Sequence, residues 1–244
     1  DFTGRGGKRP AAVRHRPKVK HERERKRTSM EPQQKTAGSQ KYGASITYVY
    51  QDKLYVNMTN QCPNHCDFCL RNNSSGSLYA ENLWYQGGEP TKEEVWAELA
   101  KEDLNRYQEV VFCGYGEPAC RWDDMMWLCD QLKGCGSHFV RINTNGLADL
   151  ITGRRTGLEL DGRVDAVSVS LNASTPEGYD AVCHSKFGLK ALPAILRFTA
   201  DAAMNVPFVR MTVVSTMPKE EIDACRKLSE KVGADFFVRQ YISQ

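Results

Sequence analysis

Three cysteines stand within eight residues of one another in the run Asn60-Gln61-Cys62-Pro63-Asn64-His65-Cys66-Asp67-Phe68-Cys69, with the spacing C-x3-C-x2-C. Thiolates are soft ligands that suit iron–sulfur clusters, and a short loop can wrap three of them around one face of a cube. Three ligands leave one iron of a four-iron cluster without a protein ligand, and substrate chemistry at a metal requires such an open position. Two other readings stay open at this point. One is a zinc site. The other is an ordinary four-ligand cluster, for which Cys113, at the end of the next expected strand, is the candidate fourth ligand. Nine cysteines is an odd number, which argues against a complete disulfide framework. Cys120, Cys129, Cys135, Cys183 and Cys225 form no C-x2-C pair and read mostly as small buried apolar side chains.

Further polar motifs fall where apolar runs end. The run Glu109–Cys113 leads into Gly114-Tyr115-Gly116-Glu117-Pro118. Small residues there let backbone approach a ligand, and a carboxylate accepts hydrogen bonds from an ammonium group. Arg141-Ile142-Asn143-Thr144-Asn145-Gly146 ends another run in polar groups and a glycine turn, which suits a ribose or a carboxylate. Ser168, Ser170 and Asn172 alternate, so they project on one face of a strand, where they bind a polar ligand or one another. Arg210 sits mid-strand among apolar neighbours and needs a carboxylate, supplied by a ligand or by the protein. Arg239 and Tyr241 on the last strand, and His184 and Lys186 after the fourth, are further candidates to face a ligand or substrate. A literal Gly87-Gly88-Glu89-Pro90 follows no good strand and leads to Thr91, an N-cap ahead of Lys92-Glu93-Glu94, so it reads as the start of a helix.

The elements that must position these groups alternate regularly. Residues 46–50 and 54–58 predict a hairpin around Gln51-Asp52-Lys53, its second strand leading into the cysteine loop. Helices are predicted near 93–106, 122–133, 189–204 and 219–232, and strands over 109–113, 138–143, 165–171, 207–214 and 235–242. The glycine- and arginine-rich stretch 146–164 gives the poorest helical pattern. Such βα alternation requires crossovers and a parallel sheet. Six units are too few for a closed eight-fold barrel, so the predicted fold is α/β, a partial (βα)6 barrel with its ligand site beyond the carboxyl ends of the strands.

These residues resemble the radical S-adenosylmethionine (SAM) superfamily, whose hallmark is C-x3-C-x2-C with an aromatic residue, here Phe68, before the last Cys. Gly114, Gly116 and Glu117 are similar to its Gly-Gly-Glu-Pro motif, with Tyr115 as a departure that leaves Gly116-Glu117-Pro118 as the matching part. Thr144-Asn145-Gly146 matches a Thr-Asn-Gly common in the superfamily. The resemblance implies a 4Fe–4S cluster on Cys62, Cys66 and Cys69, with the SAM amino and carboxylate groups on the open iron. Phe68, Gly114, Gly116, Glu117, Asn143, Asn145, Ser170, Asn172 and Arg210 would then surround SAM, Glu117 near its amino group and Arg210 a candidate for its carboxylate. An electron from a flavodoxin- or ferredoxin-type donor would cleave the sulfonium and give a 5′-deoxyadenosyl radical that abstracts hydrogen from substrate. Val56-Asn57-Met58-Thr59-Asn60 and Phe112-Cys113-Gly114-Tyr115-Gly116-Glu117-Pro118 look like the small TatD-associated radical SAM proteins, which implies a TatD-type hydrolase as partner or neighbouring domain. The expected function is a radical SAM enzyme whose substrate is unnamed and of macromolecular size. The alternatives are an electron carrier with Cys62, Cys66, Cys69 and Cys113 on the cluster, and an RNA-binding module.

Charge divides the chain. Up to Lys41 there are 13 Lys and Arg against 4 Asp and Glu; after it there are 20 against 26. The first stretch, residues 1–41, has almost no large apolar side chains and reads as a disordered basic tail or linker, with 42–244 as the core domain. Its run Arg23-Glu24-Arg25-Lys26-Arg27 would suit an acidic partner, and Met30 is an alternative start. Nothing resembles a signal peptide or a membrane span, so the expected location is the cytoplasm.

Overall fold

The computed structural model describes residues 41–73, 77–78 and 81–241, and the expectations for residues 1–40 lie outside them. Lys41 joins the folded domain, its ammonium 2.5 Å from Glu94.

The first hairpin pairs β1 (Thr47–Tyr50) with β2 (Lys53–Val56) in antiparallel register. Gln51 and Asp52 both have positive φ, 49° and 58°, as a two-residue turn requires if its twist is to match the strands. After the cysteine loop come a one-turn helix α1 (Leu70–Asn73) and a small ribbon of β3 (Ser77–Leu78) and β4 (Glu81–Asn82). The parallel strands β5 (Val110–Phe112), β6 (Val140–Thr144), β7 (Ala166–Ser170), β8 (Phe208–Val214) and β9 (Asp235–Arg239) then add in turn, giving the order β1-β2-β5-β6-β7-β8-β9. A doubly wound sheet reverses its order at a switch point. This one never reverses, so right-handed crossovers put the intervening helices on one face and curve the sheet into a partial barrel with β1 and β9 as its ends.

Helices α2 (Lys92–Leu99), α3 (Trp122–Cys135), α4 (Ala148–Thr152), α5 (Pro176–Cys183), α6 (Ala191–Asn205) and α7 (Lys219–Lys231) run between or beside the strands. The main core lies between sheet and helices, where Phe112, Ile142, Val167, Val169 and Met211 meet Met125, Leu128, Ile195 and Phe198. Burial of each large side chain there contributes about 1.5–3 kcal/mol. Alternate residues on the same strands, Arg141, Asn143, Ser168, Ser170, Arg210 and Thr212, face the other way.

Three expectations change. The helix expected over 93–106 stops at Leu99 and returns only as a 3-10 turn, Leu104–Arg106, because the Asp103 side chain accepts the Asn105 N–H and offers the backbone a cap instead of a helical bond. Residues 146–164 divide into α4 and a 3-10 turn, Thr156–Leu160, around Gly153 at φ 73°. Helix α5 has no counterpart in the sequence-based elements. Thr175 caps it, accepting the Gly178 N–H, and Pro176 occupies its first turn. No helix among the described residues is long and apolar enough to cross a membrane.

Candidate active site

A cavity of about 290 Å³ opens at the carboxyl ends of the parallel strands. Cys62, Cys66, Phe68 and Cys69 from the loop after β2 line it. So do Gly114, Gly116 and Glu117 after β5, Asn143 and Asn145 at the end of β6, and Ser170 and Asn172 at the end of β7. Arg210 is not brought there. It lies low on β8, paired in register with Ser168 and Asp235, its guanidinium 5.9 Å from the centre of the Phe237 ring. Arg239 lines the cavity instead, its Nε donating to Thr212 Oγ1 at 3.2 Å, and no carboxylate among the described residues pairs with it.

The cysteine loop is held from several sides. Glu89 Oε1 accepts from the Thr59 hydroxyl at 2.8 Å and the Asn60 N–H at 2.7 Å, so the Gly-Gly-Glu-Pro at 87–90 braces the loop from behind while Thr91 and Glu94 form a capping box on α2. Arg71 donates to Asn60 O, to Asn64 O and, through Nε, to Cys69 Sγ at 3.4 Å. The end of α5 docks on the loop, Cys183 O accepting the His65 N–H at 2.9 Å and Val182 O the Asp67 N–H at 3.1 Å. His184, whose Nε2 lies 2.7 Å from Asp67 Oδ1, and Lys186, whose N–H donates to Pro63 O, belong to this docking contact.

Gly116 lies against the same loop. A Cβ there would stand 2.1 Å from Thr59 O and 2.8 Å from Gln61 O, and one on Gly114 would stand 2.1 Å from Asn57 Oδ1. Glu117 follows as a buried knot: its N–H donates to Gln61 O, and its carboxylate accepts from Ala119 N–H, the Thr144 hydroxyl and Asn145 N–H. Burial raises its pKa, and those three donors work against the rise. Burial, with Glu117 next, pushes the Cys62 thiol up to about 12. A bound cation such as iron would offset that rise and favour the thiolate.

The residues fit a cluster and a polar ligand. Three thiols face one cavity, and Asn64 Oδ1, Asn143 Oδ1 and Asn172 Oδ1, all on its lining, are buried acceptors without a partner among the described residues. Orphaned acceptors of this kind call for donors from a bound molecule. Asn172 also holds a left-handed φ of 59°, a conformation that Asn tolerates better than most residues. Cys113, the candidate fourth ligand, lines the cavity beside Asn143, and burial raises its pKa. Sequence reasoning missed Arg71, Asn64, Tyr179 and the place of Cys183 beside the loop. The Ser174-Thr175-Pro176-Glu177 string, an N-cap followed by proline and an acid, was the signal for the helix that carries the last two.

A singly wound α/β partial barrel with three cysteines on its carboxyl rim defines the class. The family model of the Radical SAM superfamily matches residues 56–229, and the chain belongs to that superfamily. Among solved structures it is similar to Streptococcus suis SuiB bound to precursor peptide SuiA, with 18% identity over 84% of this chain and 42% of that one, at a TM-score of 0.57. SuiB bound to S-adenosylmethionine matches at 16% identity over 85% and 44%, with a TM-score of 0.56. A radical SAM methyltransferase from Sphaerobacter thermophilus matches at 17% identity over 80% and 57%, with a TM-score of 0.51. The chain thus spans less than two thirds of each of these proteins. No curated protein matches it.

Proposed function

We propose that this chain is a radical SAM enzyme whose cluster binds Cys62, Cys66 and Cys69 and whose SAM lies in the cavity between β2 and β9. The observation that carries the reading is the convergence of three thiols, the Glu117 carboxylate and three unpartnered Asn carbonyl oxygens on one cavity. When bound and reduced, the cluster supplies the electron that cleaves SAM to methionine and a hydrogen-abstracting radical. The protein's own residues bind and orient. Glu117 accepts from the SAM ammonium, the close glycines let backbone reach it, and Asn143, Asn145, Ser170 and Asn172 take the ribose and neighbouring polar atoms. Arg239, with no acidic partner among the described residues, takes the carboxylate in place of Arg210.

Within the superfamily the strings at 56–60 and 112–118 support a place near the TatD-associated proteins, with a TatD-type hydrolase as partner, a flavodoxin- or ferredoxin-type electron donor and a macromolecular substrate. The deciding experiment is 5′-deoxyadenosine formation, followed by mass spectrometry, from anaerobically reconstituted protein given dithionite and SAM, with Cys66→Ala as blank. Product above the blank is expected. A four-iron cluster that gives no product, shows no change in its EPR spectrum with SAM and is lost in Cys113→Ala would instead make the chain an electron carrier.

A further inference from the structure

The sequence alone casts Cys183 as a small apolar residue, yet it belongs to an ordered set of donors. A hydrogen-bonding side chain stands at the sulfur of each candidate cluster cysteine, and these side chains come from three different segments. Asn145 Nδ2 lies 3.9 Å from Cys62 Sγ, and Arg71 Nε lies 3.4 Å from Cys69 Sγ. Cys66 Sγ is in hydrogen-bonding contact with the thiol of Cys183, the last residue of α5.

The hydrogen bonds around Cys183 run in one direction. Asn64 Nδ2 donates to the Tyr179 hydroxyl oxygen at 2.9 Å, which leaves that O–H free to donate to the Cys183 sulfur it touches. Asn172 Nδ2 approaches the same sulfur at 3.8 Å. A thiol that accepts twice has its S–H left to give, and Cys66 is the neighbour that receives it, since an iron-bound thiolate carries no proton and only accepts. Cys183 is fully buried and, unlike the three loop cysteines, does not line the cavity. It stands behind Cys66, away from the space a cluster would fill.

We propose that Cys183 is a positioning residue that donates its S–H to the Cys66 thiolate, and is not a fourth ligand, while Asn145 and Arg71 serve Cys62 and Cys69 in the same way. The inference rests on the cluster reading above. Hydrogen bonds to ligand sulfurs draw electron density from the thiolates and favour the more negative, reduced cluster. Loss of a donor therefore makes the cluster harder to reduce.

The test uses the full chain, reconstituted anaerobically, as wild type, Cys183→Ala and Cys183→Ser. Iron and sulfide are counted, and the midpoint potential is measured by EPR-monitored titration without SAM. Wild-type cluster content is expected in both variants, with a more negative potential in Cys183→Ala. Cys183→Ser, which keeps a donor, stays near wild type; a purely structural role would not separate the two. Cys183→Val, which fills the space of the thiol but has no donor, is expected to shift the potential the same way and provides the test should Cys183→Ala misfold. Loss of the cluster from both Cys183 variants would make Cys183 a ligand, and equal potentials throughout would reduce it to packing. A wild-type chain that takes up no cluster is a separate result, which removes the cluster reading and this inference with it.

Discussion

Gly116→Ala tests whether the strand-end motif and the cysteine loop are one mechanical unit. The added methyl would lie 2.1 Å from Thr59 O, 2.7 Å from Thr59 C and 2.8 Å from Gln61 O, where ordinary contact begins at 3.4 Å. All three atoms are backbone, so no flexible side chain can swing away. The loop must move by an ångström or more, and Glu89 restrains it from behind through Thr59 and Asn60. Overpacking of this kind costs about 1–3 kcal/mol. Shifting Gln61 also lengthens the 2.8 Å bond from Glu117 N–H, worth about 0.5–1.5 kcal/mol. The expected loss is therefore about 1.5–4.5 kcal/mol against a typical stability of about 5–15 kcal/mol. The variant should fold but lose its cluster, because Cys62 follows Gln61 directly. Urea denaturation and iron content after reconstitution measure the two effects. Gly134→Ala is the control: it lies in α3, its added methyl meets nothing within 4 Å, and it should gain about 0.5–1 kcal/mol. A Gly116→Ala protein with wild-type stability and full iron would refute the reasoning.

Two other outcomes follow from charges. Arg239→Gln should weaken SAM binding about 10- to 100-fold, the loss of one charged hydrogen bond of about 1.5–3 kcal/mol, whereas Arg210→Gln should change it by less than about twofold; isothermal titration of the reconstituted protein decides, and the reverse order would return the carboxylate to Arg210. The Glu94 carboxyl is held down to about 2 by hydrogen bonds from Lys41, Tyr42 and the Thr91 N–H. Its folded value lies below the unfolded one, so its contribution is complete above the unfolded value and is lost as pH falls towards 2. An NMR titration should place its midpoint well below that of an ordinary glutamate, and Glu94→Gln should flatten the acid limb of the stability curve.

The site divides into parts that local sequence can carry and parts that it cannot. Cys62, Cys66 and Cys69 fall in one loop, so their spacing is their geometry. Gly114–Glu117 and Asn143–Asn145 were legible because strand ends share one rim in any parallel α/β sheet. Arg210 and Arg239 show the limit. Both sit on strands and face the same way, but depth along the barrel decides which reaches the rim, and the register Val214↔Arg239 against Ser168↔Arg210 is not written locally. Cys183 is further still from view, since more than a hundred residues separate it from Cys66 and only the docking of α5 brings them together.

The two glutamates that follow glycine and precede proline show how the same short string can do different work. Glu89 uses a single oxygen, Oε1, for both of its bonds to the loop. In Glu89→Gln the amide oxygen can take that place and keep both, so the cost should stay under about 1 kcal/mol. Glu117 uses both oxygens: Oε1 for Ala119 N–H and the Thr144 hydroxyl, Oε2 for Asn145 N–H. Each oxygen therefore faces one backbone N–H, Ala119 on Oε1 and Asn145 on Oε2, and neither N–H can receive a proton from a neutral carboxyl or an amide. Whichever way an amide is turned in Glu117→Gln, its NH2 faces a donor, and at least one charged bond worth about 1.5–3 kcal/mol is lost with a buried group left unpaired. Urea denaturation of both variants at mildly alkaline pH should separate them by at least that amount. Equal stabilities would mean that the Glu117 carboxyl is protonated in the fold, and the ammonium-binding role assigned to it would fall.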